Sequence, residues 1–386
     1  MSLLSRRPRI LQCVSHLALG GAERVALTLV EALRDEFDFE IFAVRGLGDG
    51  EIGRTLAGEV QKLGLPLHIG ARVPMRFGGV ITSGIGMARA VRRVKPDLIH
   101  LHTEIPETGY AVMAACLPGT RATPFVRTIH NTVFWEFWRP MGRWADRQMP
   151  RSFVAGVSPG ATEAFLRLRQ ASGGAALPQP PVTIYNGVLE PKTISKRIPK
   201  PVTEPVKIVF GGRFEFQKGT DLLPEILSRV CPPKPAGAHL VLFGSGVHEP
   251  QLRALAHRPP PGWKVDVRRP ISNFASQLGE YDLVIMPSRY EGLALIPIEA
   301  SFIAAPLVAT DAPGLHETLP ADHPWIARAG DASSFAAVLQ QALDQPERWT
   351  MAGENARAFA RERFAVKTMA DAYRSLYGQA LGAQRH

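Results

Sequence analysis

Short apolar runs alternate with amphipathic helical stretches along almost the whole chain, and the alternation is interrupted once. Arg9–Val14 reads as a strand, and Ala22–Arg34 as a helix with Val25, Leu29 and Leu33 on one face. Phe39–Val44, Leu65–Ile69, Asp97–Leu101, Phe125–Ile129, Phe153–Val157 and Val182–Tyr185 continue the strands, with Ile52–Leu63 and Ile81–Val94 helical between them. Strands separated by helices cannot pair as hairpins, so the pattern predicts a parallel sheet wrapped by helices. Over 186–205 the rhythm stops: Asn186-Gly187, Pro191, Pro199, Pro201, Pro205 and four basic residues have linker composition. It resumes at Val206–Phe210 and runs through His239–Phe243, Lys264–Val267, Leu283–Met286 and Leu307–Ala309, with helical segments over 332–343, 347–363 and 367–381.

The expected fold is therefore α/β, with two doubly wound, Rossmann-like domains facing each other across a cleft. Residues 1–188 would form the first domain, 189–205 a hinge and 206–365 the second domain, with 366–386 a C-terminal helix packing back on the first. The length of 386 residues suits two domains of under 200 each. Ligands of such sheets bind beyond the C-terminal strand ends, so the informative residues should follow strands.

Charge and cysteine usage narrow the setting. The net charge is +10, and it is uneven: 22 basic and 15 acidic residues lie up to Val188, against 23 and 20 beyond it. A basic first half suits an anionic partner, although a solvated surface would look the same. Cys13, Cys116 and Cys231 are far apart and odd in number, so neither a disulfide framework nor a metal knot is expected and a reducing, cytoplasmic setting is. Ser5-Arg6-Arg7 before an apolar stretch resembles an export signal, but Gln12, Ser15 and His16 fit a first strand better. Gly292–Thr310 is long enough to cross a bilayer, yet Glu299, Pro297 and Pro306 inside it argue for a buried helix followed by a strand.

Three motifs carry chemistry. Gly20-Gly21-Ala22-Glu23 stands between the first strand and helix, where paired glycines let backbone approach a ligand and a helix N-terminus favours an anion. Gly211-Gly212-Arg213-Phe214-Glu215-Phe216-Gln217-Lys218-Gly219 follows the first strand of the second domain. Arg213 offers a planar fork and Lys218 a mobile point charge, together able to neutralise a diphosphate. The third begins at Ser288-Arg289-Tyr290-Glu291-Gly292 and runs to Glu299-Ala300. If the segment after Gly292 is helical, the eight residues from Glu291 to Glu299 span roughly 12 Å, about the length of a sugar-diphosphate-ribose unit. The amides of Gly292, Leu293 and Ala294 could then hold phosphate oxygens. Glu299, in an otherwise apolar helix, needs partners that ribose hydroxyls would supply.

On these residues the chain resembles the family-4 retaining glycosyltransferases of the GT-B fold. Glu291 and Glu299 match the family's paired glutamates, and Arg213 and Lys218 its basic loop. The Gly-Gly-Ala-Glu opening, Asn186-Gly187-Val188 and Phe243-Gly244-Ser245-Gly246 fall where the family has theirs. The resemblance implies a donor site of Gly20, Gly21, Gly212, Arg213, Lys218, Gly244, Glu291, Gly292, Leu293, Ala294 and Glu299. Glu291 would lie at the donor sugar, Glu299 at the ribose, and Arg213 and Lys218 at the diphosphate. It places His130, in Thr128-Ile129-His130-Asn131, near the sugar. No cofactor and no metal are implied beyond the nucleotide-sugar donor, a UDP- or GDP-sugar. The acceptor would be a glycan or a lipid-linked sugar in bacterial polysaccharide or glycolipid assembly. Arg268-Arg269-Pro270 departs from the family where backbone helps read the base.

The acceptor is expected on the first domain. Glu104 and Glu107, after the strand 97–101, are candidates for its hydroxyls. Over 134–151, Phe134, Trp135, Phe137, Trp138 and Trp144 mix with Arg139, Arg143, Arg147 and Arg151. The four-residue spacing places the arginines on one side of a helix opened by Pro140. Such a segment suits an anionic membrane surface, with a peripheral place at the inner face of the cytoplasmic membrane, and Trp135 and Trp138 would then meet the acceptor. It suits equally an apolar face on the sheet with a solvated arginine stripe. Competing functions are a nucleotide-sugar epimerase of the same fold, a non-catalytic carbohydrate-binding subunit, and a nucleic-acid-binding protein. The last rests on basicity alone, with no recognition module, so no nucleic-acid partner is expected.

Overall fold

The computed structural model describes residues 6–17, 21–47, 50–71, 73–117, 123–135, 138–190, 204–271 and 274–383. The chain divides into two compact units, one formed by Met1–Gly187 with Val366–His386 and the other by Val188–Ala365. Of the expected linker 189–205, residues 191–203 lie outside the described residues, as do Gly20 and Phe137.

The first unit runs β1 (Arg9–Val14), α1 (Gly21–Leu33), β2 (Asp38–Ala43), α2 (Gly50–Lys62), β3 (Leu67–Ile69), α3 (Gly79–Val94), β4 (Leu98–His102), α4 (Glu104–Cys116), β5 (Phe125–Ile129), α5 (Arg139–Arg147), β6 (Ser152–Gly156), α6 (Pro159–Ser172) and β7 (Val182–Thr183). The second runs β8 (Val206–Gly211), α7 (Leu223–Arg229), β9 (Ala238–Phe243), α8 (Glu249–His257), β10 (Trp263–Arg268), α9 (Phe274–Gln277), β11 (Leu283–Met286), α10 (Leu295–Phe302), β12 (Leu307–Thr310), β13 (Ile326–Ala327), α11 (Ala332–Asp344) and α12 (Trp349–Arg363). The last helix, α13 (Val366–Gly382), returns to the first unit and packs on α1, β4 and β5.

Both sheets are parallel. The first has the order β3-β2-β1-β4-β5-β6-β7 and the second β10-β9-β8-β11-β12-β13. In each, the strand order reverses beside the unit's first strand. Ile10 pairs with Phe39 on one side and Leu98 on the other. In the second sheet β8 lies between β9 and β11. That reversal leaves a crevice at the C-terminal ends, because the flanking crossover helices go to opposite faces. Both faces of the sheets are covered, so β4, β5, β6, β11 and β12 are buried throughout, and the polar side chains of β4 and β5 are buried with them.

Local chemistry sets the ends. Ser158 caps α6, its Oγ accepting the Ala161 N–H at 3.1 Å, and Asp331 caps α11 through the Ser334 N–H at 2.8 Å. Pro140 stands in the first turn of α5, where its missing N–H costs nothing. Helix α4 and strand β13 are among the elements that the sequence pattern missed. Helix α4 is weakly amphipathic because most of it is buried, and β13 is only two residues long.

Candidate active site

The second unit gathers its functional groups at the C-terminal ends of β8 and β11, where its sheet reverses. The loop after β8 turns back at Gly219, whose φ is 65° and whose missing Cβ would stand 1.9 Å from the Pro287 carbonyl oxygen. Only glycine can bring the two loops that close. The contact carries Lys218 to Glu291: Nζ donates to Oε1 at 2.7 Å and to Oε2 at 2.9 Å. Ser288 Oγ donates to the same Oε1 at 2.7 Å, and Gln217 Nε2 to Oε2 at 3.4 Å. Glu291 is buried and Lys218 nearly so, which makes this a desolvated pair held by neutral donors on both oxygens.

The surrounding cations are placed by the same two loops. Arg213 is exposed, paired to Glu215 at 2.8 Å and donating to Gln217 Oε1 at 2.8 Å. Arg289 forks onto Asp221 at 2.7 and 2.8 Å and lies 3.8 Å over the Phe216 ring, locking the loop that carries Lys218. Arg289 and Asp221 were not singled out in the sequence. Their pairing spans 68 residues and has no local signature.

Several assigned donor contacts change. The amide of Ala294 donates to the Gly314 carbonyl at 2.9 Å, so it is not available to a phosphate. The helix starts at Leu295, not at Gly292, so Glu291 and Glu299 are joined by a loop as well as a helix. Glu299, the fifth residue of α10, is half-buried and not enclosed. The amides of Gly212 and Gly244 are taken by the carbonyls of Phe243 and Arg268, at 3.0 and 3.1 Å. A Cβ on Gly244 would stand 1.9 Å from the Gly212 oxygen, so these glycines serve close loop packing.

The first unit places His130 directly after β5. Its Nε2 lies 3.0 Å from Nδ1 of His102, whose Nε2 lies 2.7 Å from Gln12 Oε1. Gln12 Nε2 donates to the Tyr377 hydroxyl at 3.0 Å. That hydroxyl lies 2.7 Å from His100 Nδ1, and His100 Nε2 lies 2.7 Å from Thr128 Oγ1. Thr128 Oγ1 is in turn 2.8 Å from the Tyr373 hydroxyl. Burial holds all three histidines neutral, pushing His130 down to about 3 and His100 and His102 well below their ordinary value. At the ends of β1 and β4, Ser15 and Thr103 share a 2.6 Å hydrogen bond, and Thr103 holds a left-handed φ of 72°. Gly21 opens α1, and Glu23 behind it is buried, which pushes its carboxyl up to about 7.

The acceptor assignments divide. Glu104 opens α4, and burial raises its pKa although the Asn131 side chain and the Trp135 amide hydrogen-bond it. Glu107 is not available to an acceptor. It is fully buried, Arg127 forks onto its two oxygens at 2.9 and 3.0 Å, and the Trp135 indole donates to it at 3.2 Å. Trp135 is likewise a core residue, 6% exposed, because its N–H is needed there. Phe134 and Trp144 pack on the same core, while Arg139, Arg143, Arg147 and Arg151 are exposed. The 134–151 segment is thus a packed apolar face with a solvated arginine stripe; Trp138 alone of its described tryptophans is exposed.

Two parallel α/β units with these strand orders, a basic loop closing on a strand-end glutamate in one and a strand-end histidine in the other, define the GT-B class of glycosyltransferases. A family model described as glycosyltransferase family 4 matches residues 19–188, and one described as glycosyl transferases group 1 matches residues 205–345. The chain belongs to glycosyltransferase family 4 and is a glycosyltransferase. It is 24% identical over 326 residues to a glycogen synthase of Mycobacterium tuberculosis, covering 79% of this chain and 76% of that one. Over 176 residues it is 27% identical to a GDP-mannose-dependent monoacylated phosphatidylinositol monomannoside mannosyltransferase of Corynebacterium glutamicum, covering 44% and 46%. Among solved structures, HepE of Anabaena in complex with UDP and glucose superposes with a TM-score of 0.76 at 18% identity, covering 97% of this chain and all of that one.

Proposed function

We propose that the protein transfers a sugar from a nucleotide-diphosphate sugar to a glycan or lipid-linked acceptor, with retention at the anomeric carbon and without a metal ion. The observation that carries this reading is the buried Lys218–Glu291 pair at the end of β8 and β11. An ammonium has three donors, and among the described residues Lys218 gives its hydrogen bonds to one carboxylate, so it can hold Glu291 and still face an anionic oxygen. Lys218 and Arg213 would neutralise charge developing on the leaving diphosphate, which is electrostatic stabilisation by groups already in place. Glu291, oriented by Ser288 and Lys218, would accept sugar hydroxyls and not act as nucleophile. The leaving phosphate itself would deprotonate the acceptor on the same face of the sugar. Named relatives with nucleotide-sugar and lipid substrates support the donor and acceptor classes.

Peripheral contact with an anionic membrane belongs to the same proposal, but α3 supports it better than 134–151 does. Ile81 and Ile85, one turn apart on α3, are 63 and 45% exposed, and Phe77, in the turn before the helix, is 68% exposed. Arg89 and Arg93 continue the spacing, with Arg76, Arg92 and Lys95 exposed beside them. No acidic residue occurs between Glu59 and Asp97. An apolar stripe running into unopposed cations suits a bilayer carrying negative headgroups.

Thermal unfolding with UDP, GDP and ADP, each with and without EDTA, tests the donor site. A nucleotide at 100 times its dissociation constant adds about 2.7 kcal/mol of stability. A rise in Tm with one nucleotide, unchanged by EDTA, is expected. No rise with any of them at millimolar concentration would favour a non-catalytic carbohydrate-binding role.

A further inference from the structure

The buried polar chain behind His130 has a direction, and the direction can be read bond by bond. Gln12 Nε2 donates to the Tyr377 hydroxyl, so the other end of the amide, the carbonyl Oε1, faces His102 Nε2 at 2.7 Å. A carbonyl oxygen only accepts, so His102 Nε2 carries a hydrogen. His102 is neutral and has one N–H to give, which leaves Nδ1 as a lone pair. That lone pair lies 3.0 Å from His130 Nε2, so the hydrogen of His130 sits on Nε2. Its Nδ1 is then a bare acceptor, and no group among the described residues takes it. The other branch agrees. Having accepted from Gln12, the Tyr377 hydroxyl gives its proton to His100 Nδ1, and His100 Nε2–H donates to Thr128.

We propose that Gln12 and Tyr377 are positioning residues that fix His130 in its Nε2–H tautomer, so that Nδ1 meets the substrate as a hydrogen-bond acceptor for a sugar hydroxyl. This rests on the reading of His130 as a donor-sugar contact. It makes His130 a recognition group and not a proton donor. It also sets a specificity: a neutral lone pair attracts a hydroxyl and repels a carboxylate, so the donor carries a free hydroxyl at that point and a uronic acid is rejected. The tyrosine that orients the amide comes from α13, 365 residues along the chain from Gln12. The helix that completes the first unit is therefore also the anchor of the histidine's tautomer.

Nitrogen-15 NMR of the histidine-labelled protein reads this without any substrate. The His130 signals are assigned from the difference spectrum of His130→Gln. Wild type is expected to show protonated Nε2 and unprotonated Nδ1 at His130. Tyr377→Phe removes only the hydroxyl, leaves Gln12 free to turn over and should mix the two tautomers, lowering kcat/KM roughly tenfold, about the worth of one hydrogen bond. A merely structural role for Tyr377 would lower stability and leave the His130 signals unchanged. A wild-type His130 protonated on Nδ1 overturns the assignment whether or not the variant folds, because it means that Gln12 and every bond of the chain run the other way. If no nucleotide sugar is turned over, the transferase reading fails while the tautomer remains measurable.

Discussion

At the scale of single residues, the site depends on whether a charge has a partner. Removing Lys218 takes from buried Glu291 the cation that meets both its oxygens, and removes the cation proposed for the diphosphate. Lys218→Ala and Glu291→Gln are each expected to lower kcat at least roughly 100-fold, the usual loss for a preorganised electrostatic group. Near-normal turnover in either variant would remove that residue from the mechanism. The buried histidines make a second prediction. His100 and His102 are held neutral when folded and titrate near 6.5 when unfolded, so below that pH the unfolded chain binds more protons. Their contribution is full above about pH 6.5 and shrinks as pH falls, by about 1.4 kcal/mol per pH unit for each histidine. Urea unfolding at pH 7.5 and 5.5 should show it, and equal stability at both would contradict the burial of the pair. Much of this scale was legible in sequence: Arg213, Lys218 and Glu291 stand out because they follow strands in glycine-rich turns. The bond from Lys218 to Glu291 was not, since 73 residues separate them. Nor was Gln12, which looks like any polar residue interrupting an apolar strand.

At the scale of elements, burial decided what composition left open. The segment carrying α5 reads as aromatic and basic, and nothing local says which side faces water. The answer comes from a buried network: Arg127 bridges Glu107 and Asp146, and Asp146 also takes Arg169 at 2.9 Å. Although burial pushes the Asp146 carboxyl up, Arg127 and Ser172 outweigh it and hold the pKa low. Arg127 lies on β5, reaches α4 on one side and α5 on the other, and is itself fully buried. Arg127→Ala would leave two carboxylates without their shared partner and is expected to cost about 3–5 kcal/mol. A shift under 1 kcal/mol in urea unfolding would show that the network is not stabilising. On the opposite account, α3 displays apolar residues where a solvated helix would not. Ile81→Glu should abolish co-sedimentation with vesicles containing anionic lipid and leave neutral-vesicle binding negligible, with folding unchanged. Wild-type protein that stays in the supernatant would remove the membrane reading.

At the scale of the whole molecule, strand and helix periodicity carried most of the information. Parallel sheets bury both strand faces, so their strands appear as unbroken apolar runs, and the crossover helices between them have a clear period. The strand order could not be read in this way, because pairing is a long-range property. The arrangement also has a consequence in time. The first unit is closed by α13, whose Tyr373 and Tyr377 complete the polar chain of Gln12, His100 and Thr128. The second unit lies wholly between these two pieces. During synthesis, then, the half that is translated first is finished last: its sheet waits with buried polar groups unpaired until the last helix emerges, while the later half can already close. Truncation after Ala365 should leave the second unit resistant to protease and the first susceptible, and equal resistance of both would show that the first unit does not need its final helix. A ribosome that stalls late on this message would thus release a chain whose younger half is folded and whose older half is not.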